Sequence, residues 1–155
     1  MRSRAQIDAY MRAALDHLGG LDVLVNNAGI AGPTAGIAEL DPDELADTLD
    51  INLAAQFHTL RHAVPALRTA GGGSIINISS VAGRMGIPMR TPYAATKWGV
   101  VGLTRSLSIE LGGYGIRVNA LLPGLVAGRA SSAIARARAT WASAWKRKRG
   151  WSWRA

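Results

Sequence analysis

Three short apolar runs, each preceded by a cluster of glycines, constrain the fold of this chain most strongly. They lie at residues 21–26, 74–79 and 116–121. The segments before and between these runs carry apolar residues at helical spacing, which predicts helices at about 3–18, 42–67 and 92–111. This alternation of helix and strand indicates a parallel sheet with helices on its faces, joined by right-handed crossovers. We therefore predict an α/β fold with a doubly wound parallel sheet.

Small or polar residues stand at the carboxyl ends of all three predicted strands. The segments are Asn26-Asn27-Ala28-Gly29, Ser79-Ser80 and Leu122-Pro123-Gly124. Ligands bind at this edge of open parallel sheets. The sequence therefore predicts a binding crevice there.

Tyr93 and Lys97 are four residues apart on a predicted helix, so their side chains share one face. A free phenol is a poor acid–base group at neutral pH, and a neighbouring ammonium favours the phenolate. The pair suits proton transfer, although an ordinary solvated surface pair has the same spacing. Ser80 adds a hydroxyl just past a strand, where it could also simply form the terminating turn. Asn52 is a poor helix former within a predicted helix, which fits either a bonding site or a tolerated surface residue.

Taken together, these motifs resemble those of the short-chain dehydrogenases/reductases. They are Asn26-Asn27-Ala28-Gly29, Asn52, Ser80, Tyr93-Ala94-Ala95-Thr96-Lys97 and Pro123-Gly124. The resemblance covers residues 1–128 and implies part of a Rossmann-like, NAD(P)-binding catalytic domain. It implies hydride transfer between NAD or NADP and a small-molecule carbonyl or secondary alcohol, as in 3-oxoacyl reductases or related enzymes.

The resemblance also implies a role for each catalytic candidate. Tyr93 would be the general acid in carbonyl reduction and the base in alcohol oxidation, and Lys97 would lower its pKa. Ser80 would hold the substrate oxygen, and Asn52 would keep a water in the proton relay from Lys97. The residues implied to contact the cofactor are Asn27, Ala28, Gly29, Tyr93, Lys97, Pro123, Gly124 and Val126.

Both ends of the sequence depart from the family pattern. A full member opens with a strand, a Gly-rich turn and a helix that hold the pyrophosphate, and no such turn is found here. We therefore expect truncation at the N-terminus. Residues 129–155 hold eight basic residues, no acidic ones and four of the five tryptophans, whereas charges cancel over 1–128. We expect this tail to lie outside the fold.

Composition limits the alternatives. The chain has no cysteine, no apolar run of membrane-spanning length and no secretion-signal core, so we expect a cytoplasmic protein without a membrane partner. We expect no metal site, because no His and acidic cluster stands out. Besides the enzyme, two hypotheses stay open: a non-catalytic fragment that associates through the helices at 42–67 and 92–111, as in the family's homo-oligomers, and, least favoured, nucleic-acid binding by the tail.

Overall fold

The computed structural model describes residues 3–124 and shows the alternating order of helix and strand. The helices are α1 (Arg4–Leu18), α2 (Pro42–Leu49), α3 (Ala55–Thr69) and α4 (Thr91–Leu111), and the strands are β1 (Val23–Asn26), β2 (Gly73–Ile78) and β3 (Ile116–Leu121). The predicted α/β class is therefore confirmed. The prediction for the tail at 129–155 lies outside the described residues.

The three strands form one parallel sheet in the order β1-β2-β3. Val23 pairs in register with Ser74, and Ser74 in turn pairs with Arg117. Both crossovers therefore step in the same direction across the sheet. Because such crossovers are right-handed, α3 and α4 both lie on one face. Within residues 3–124, helices cover only that face.

The covered face holds the core of the fold. Leu24, Ile75 and Val118 lie side by side across the three strands and point toward the helices. Leu60 and Leu67 of α3 join the same cluster. The α1 residues Ile7 and Met11 pack against α3 and Leu24 in a second cluster. One layer of helices thus packs on one layer of sheet.

The opposite face of the sheet is open in the described part of the chain. Val23 and Val25 are 52% and 54% exposed, and Leu121 on β3 is exposed as well. Val25 also lies on a strand that pairs only with β2 among residues 3–124. Apolar runs of this kind are typical of strands buried on both faces.

One predicted element differs from the structure. The helix expected at 42–67 is divided into α2 and α3 by a π-helical turn at Asp50–Ala54. The turn accommodates one extra residue, and it contains Asn52, which is fully buried. Helical periodicity carries no signal for such an insertion, so the sequence predicted an uninterrupted helix.

A buried polar network ties the sheet to its helices. Asn26 Nδ2 donates to Asn77 Oδ1 at 2.9 Å, which links β1 to β2. Thr59 of α3 donates to Asn26 Oδ1 at 2.8 Å, and Asn77 Nδ2 donates to Thr104 of α4 at 3.0 Å. The side-chain amides of Asn26 and Asn77 are thus hydrogen-bonded, which offsets the cost of their desolvation.

No helix within residues 3–124 is long and apolar enough to cross a lipid bilayer. The same residues contain no group of three or more His, Asp or Glu side chains placed to bind a metal ion.

Candidate active site

The first turns of α4 position Tyr93 and Lys97. The helix begins at Thr91 with Pro92 in its first turn, where the missing N–H costs nothing. Lys97 lies one turn after Tyr93, and its Nζ is 5.6 Å from the centroid of the Tyr93 ring. The predicted proximity of ammonium and phenol is therefore present in the structure.

Lys97 is a buried cation, with only 5% of its surface exposed. Its Nζ donates to the backbone carbonyl of Ile78 at the end of β2, at 3.0 Å. Burial lowers the pKa of Lys97 below its ordinary value of 10.5. An ammonium has three donors, so the bond to Ile78 leaves two for other partners.

Asn52 holds the loop that follows β1. Its Oδ1 accepts from the Ile30 N–H at 2.7 Å, and its Nδ2 donates to the Ile30 carbonyl at 3.0 Å and toward Thr96 Oγ1 at 3.4 Å. The backbone carbonyl of Asn52 accepts from Gln56 Nε2 at 3.3 Å. The bonding interpretation of Asn52 thus fits the structure better than that of a surface residue, while its role in a water relay stays a prediction.

Gly29 lies directly against the side chains of Asn52 and Lys97. A Cβ at Gly29 would be 3.1 Å from Asn52 Oδ1 and 3.7 Å from Lys97 Nζ. The loop after β1, the π turn and α4 therefore meet at one point. Because Gly29 has no side chain, the backbone can approach both polar groups closely.

Ser80 lies two residues past the end of β2, at the carboxyl edge of the sheet. It begins the short 3-10 turn Val81–Gly83, and its Oγ accepts from the Ala82 N–H at 3.2 Å. The turn-forming role considered for Ser80 is present, and its contact with a substrate oxygen stays a prediction.

Sequence reasoning missed the role of Ser79. Its buried Oγ donates to the backbone carbonyl of Lys97 at 2.8 Å, which fixes the end of β2 against α4. Gly83 also approaches that carbonyl, since a Cβ at Gly83 would be 2.7 Å from it. The one sequence signal at this place was the pair Ser79-Ser80 at a strand end. That signal did not show which serine bonds to α4 and which begins the turn.

The residues implied to bind the cofactor lie at two strand ends. Asn27, Ala28 and Gly29 are exposed after β1. Asn27 and Ala28 line a groove of about 310 Å³ between α1 and β1. Gln56 also lines this groove, and its Oε1 is buried without a hydrogen-bond partner.

Beyond β3, Pro123 accepts a hydrogen bond from the Val81 N–H at 3.0 Å, which places it beside the turn that begins at Ser80. Gly124 follows it and is exposed. Val126 lies outside the described residues.

Comparison with known proteins identifies the family. The family model described as short chain dehydrogenase matches residues 1–139. The chain belongs to the short-chain dehydrogenase family. Its resemblance to that family, first drawn from the motifs alone, is therefore confirmed.

Members of this family include a relative that is 50% identical over 118 residues, the trans-4-hydroxycyclohexanecarboxylate dehydrogenase of Sinomonas cyclohexanicum. That match covers 76% of this chain and 45% of the relative. The chain thus spans about half the length of this curated relative.

Solved structures of the family show the same fold. NAD⁺-bound xylitol dehydrogenase aligns with a TM-score of 0.84 at 30% identity, over 90% of this chain and 54% of the other. ElxO with NADP bound aligns with a TM-score of 0.80 at 28% identity, over 89% of this chain and 56% of ElxO. Both are short-chain dehydrogenases with the Rossmann fold, and one holds NAD and the other NADP.

Proposed function

We propose that this chain carries the catalytic part of an oxidoreductase that uses NAD or NADP and acts on a small carbonyl compound or secondary alcohol. The observation that carries the proposal is the cluster of Tyr93, Lys97 and Asn52 beside Gly29 at the carboxyl edge of the sheet. The bound cofactor would supply or accept the hydride. The protein would then supply orientation and a proton.

Three features of the structure fit a nicotinamide nucleotide. Lys97 retains donors that could bond ribose hydroxyls, beyond the one given to Ile78. Gly29 leaves space beside Lys97 and Asn52 that a side chain would fill. Asn27 and Ala28 are exposed along a groove that adjoins the site.

Tyr93 would transfer the proton to or from the reacting oxygen. The Lys97 ammonium near its ring would stabilise the phenolate as the proton leaves. Ser80 would donate a hydrogen bond to the same oxygen, and Asn52 would complete the relay behind Lys97. These four roles rest on the family resemblance and on the position of each residue in the fold.

The name of the relative from Sinomonas cyclohexanicum suggests the first substrate to assay. We propose a ring-borne secondary alcohol, or the corresponding ketone, as a test compound. We also propose that the protein is cytoplasmic and assembles as a homo-oligomer through α3 and α4, whose surfaces expose Phe57, Trp98 and Ile109.

The test measures cofactor binding and turnover separately. Purified full chain is titrated with NADH and NADPH by nicotinamide fluorescence, and oxidation of trans-4-hydroxycyclohexanecarboxylate is then followed through nicotinamide absorbance. We expect Tyr93→Phe to bind cofactor as the wild type does and to lose about 10²-fold or more of the rate. Tyr114→Phe, on an exposed tyrosine just past α4, should retain both.

Two results would reject the proposal. Retention of the full rate by Tyr93→Phe would remove the assigned proton donor. Failure to bind either nucleotide would favour the alternative, a non-catalytic fragment that acts through association.

A further inference from the structure

We propose that Arg90 is a positioning residue for Tyr93, because it fastens the loop at residues 27–36 to the start of α4 beside the Tyr93 ring. This inference rests on the proposed function, in which Tyr93 transfers the proton. Arg90 directly precedes α4, so it lies three residues from Tyr93 along the chain.

The guanidinium of Arg90 reaches three groups at once. Its Nη2 donates to the carbonyl of Ala31, and its Nη1 donates to Thr34 Oγ1 at 3.2 Å. The guanidinium carbon lies 5.1 Å from the centroid of the Tyr93 ring, within the range of a cation–π contact. A planar group with several fixed donors can make these contacts together, which a lysine cannot.

Arg90 is partly withdrawn from solvent in this arrangement. It is half-buried, and its Nε is buried without a hydrogen-bond partner. Burial lowers the pKa of Arg90, and the negative charge of an ionised Tyr93 opposes that effect. The guanidinium remains charged over the whole working range, so the Tyr93 ring always has a cation beside it.

The backbone next to Arg90 reinforces the same connection. The Ala35 N–H donates to the carbonyl of Met89 at 3.1 Å. Met89 has a φ of 63°, and among residues 3–124 no other non-glycine residue has a positive φ. Such a conformation costs energy and persists where surrounding contacts impose it. Met89 and Arg90 thus hold the loop by one backbone bond and two side-chain bonds.

The loop held by Arg90 begins at the residues implied to contact the cofactor. Asn52 holds Ile30 from the side of the π turn, and Arg90 holds Ala31 and Thr34 from the side of α4. Without Arg90, the loop would lose two of the hydrogen bonds that hold it, and the Asn52 bonds and the Ala35 backbone bond would remain. The Tyr93 ring would then lose its neighbouring guanidinium, and the loop beside it would open more often.

The test uses the full chain without cofactor, so its outcome is independent of nucleotide binding and turnover. The protein is labelled with 3-fluorotyrosine, and the resonances of Tyr10, Tyr93 and Tyr114 are assigned by single Tyr→Phe variants. We expect Arg90→Met to shift the fluorine resonance of Tyr93, and to leave those of Tyr10 and Tyr114 in place.

Hydrogen exchange supplies a second measurement. Loss of two hydrogen bonds from a charged donor should speed amide exchange at Ala35 by about tenfold or more in Arg90→Met. Arg90→Lys keeps the charge without the planar group, so it should show a smaller change in both measurements. The control is Arg84→Met, on an exposed arginine of the same connecting segment, which should match the wild type.

The proposal is overturned if Tyr93 keeps its wild-type resonance in both Arg90 variants, or if exchange at Ala35 is unchanged. It is also overturned if Arg84→Met shifts Tyr93 as far as Arg90→Met does. If Arg90→Met disturbs the whole fold, as movement of Tyr10 and Tyr114 would show, Arg90→Lys gives the deciding comparison.

Discussion

The ammonium of Lys97 is the one charged side chain that is buried within residues 3–124. Its Nζ donates a hydrogen bond to the Ile78 carbonyl and lies near the Tyr93 ring. Among residues 3–124 it forms no ion pair with a carboxylate. Isolated buried cations are costly, and they are usually retained where chemistry needs them. The burial of Lys97 therefore supports a catalytic role more than a structural one.

This burial makes the stability of the fold depend on pH in an identifiable direction. The pKa of Lys97 is lowered in the folded state and is about 10.5 in the unfolded chain. Between those two values the unfolded state binds more protons, so wild-type stability rises with pH. Lys97→Met has no titrating group at this position, so it should lack that rise.

Urea unfolding of wild type and Lys97→Met at neutral pH and again near pH 10.5 measures the effect. Between these two pH values, the free energy of unfolding of the wild type should rise relative to that of Lys97→Met. The expected rise is about 1.4 kcal/mol for each unit by which folding lowers the pKa of Lys97. A constant difference between the two proteins would show that Lys97 is solvated in the native state.

The placement of Tyr93 beside Lys97 was predictable from the sequence, whereas the contacts that support it were not. Tyr93 and Lys97 could be placed together because helix geometry fixes residues four apart. The contacts that Ser79, Thr96 and Arg90 make with other segments were not identified. Hydrogen bonds between segments distant in sequence leave no local pattern.

At the scale of elements, the packing of α4 onto the turn after β2 depends on Gly83. A Cβ at Gly83 would be 2.6 Å from Ser79 Oγ and 2.7 Å from the Lys97 carbonyl oxygen. Because one of these neighbours is backbone, Gly83→Ala must displace α4 or the turn. We expect a loss of about 1–3 kcal/mol in the free energy of unfolding.

Thermal or urea unfolding of Gly83→Ala beside Gly86→Ala checks this expectation. Gly86 lies three residues further on, and a Cβ there would meet nothing within 4 Å. Equal stability of Gly83→Ala and Gly86→Ala would show that Gly83 does not pack closely against the Lys97 carbonyl.

A second contact between elements joins α1 to α3. His62 Nε2 lies 2.7 Å from Asp8 Oδ1, and Arg4 lies 3.6 Å from the other oxygen of Asp8. The hydrogen bond with His62 holds the pKa of Asp8 below its ordinary value of 3.8. A carboxylate with a lowered pKa stabilises the fold above pH 3.8, and that contribution disappears as pH falls through the lowered value.

Asp8→Asn should therefore be less stable than wild type at neutral pH, and the difference should vanish in acid. Denaturant midpoints across an acid titration measure it, with Asp16→Asn, on an exposed acid of the same helix, as the matched control. Equal midpoints for Asp8→Asn and Asp16→Asn at neutral pH would remove the role assigned to the Asp8–His62 pair.

The element boundaries followed closely from the sequence because glycines mark most of them. Gly19 ends α1 in a left-handed conformation, and Gly115 precedes β3 in the same conformation. The π turn at Asp50–Ala54 is the exception. It depends on the bonds between Asn52 and the distant Ile30, which override local helical preference.

For the molecule as a whole, the open face of the sheet is the surface that most favours self-association. Val23 and Val25 lie on a strand with one unpaired edge among the described residues, and no charged residue interrupts the strand. Edges of this kind favour association with other strands. Arg117 and Asn119 give the open face of β3 a polar character that β1 lacks.

Val25→Lys should therefore reduce concentration-dependent self-association of the purified chain. Sedimentation velocity over a range of concentrations measures it. The control is Ile37→Lys, which places the same charge in the short turn Ile37–Glu39, away from the sheet, α3 and α4, at a side chain that is 73% exposed. If both variants associate as the wild type does, the open face and edge of β1 do not drive association.

The strand order has a consequence for how the chain is made. β1 and β2 pair at a separation of 51 residues, as in Val23 with Ser74, and among residues 3–124 β3 pairs only with β2. During synthesis β2 and β3 would each leave the ribosome after a strand with which they pair, because the order of these three strands in the sheet is the order of translation. Assembly can then proceed stepwise from the N-terminal side. Neither β2 nor β3 therefore has to wait for a strand that is encoded later before it can pair.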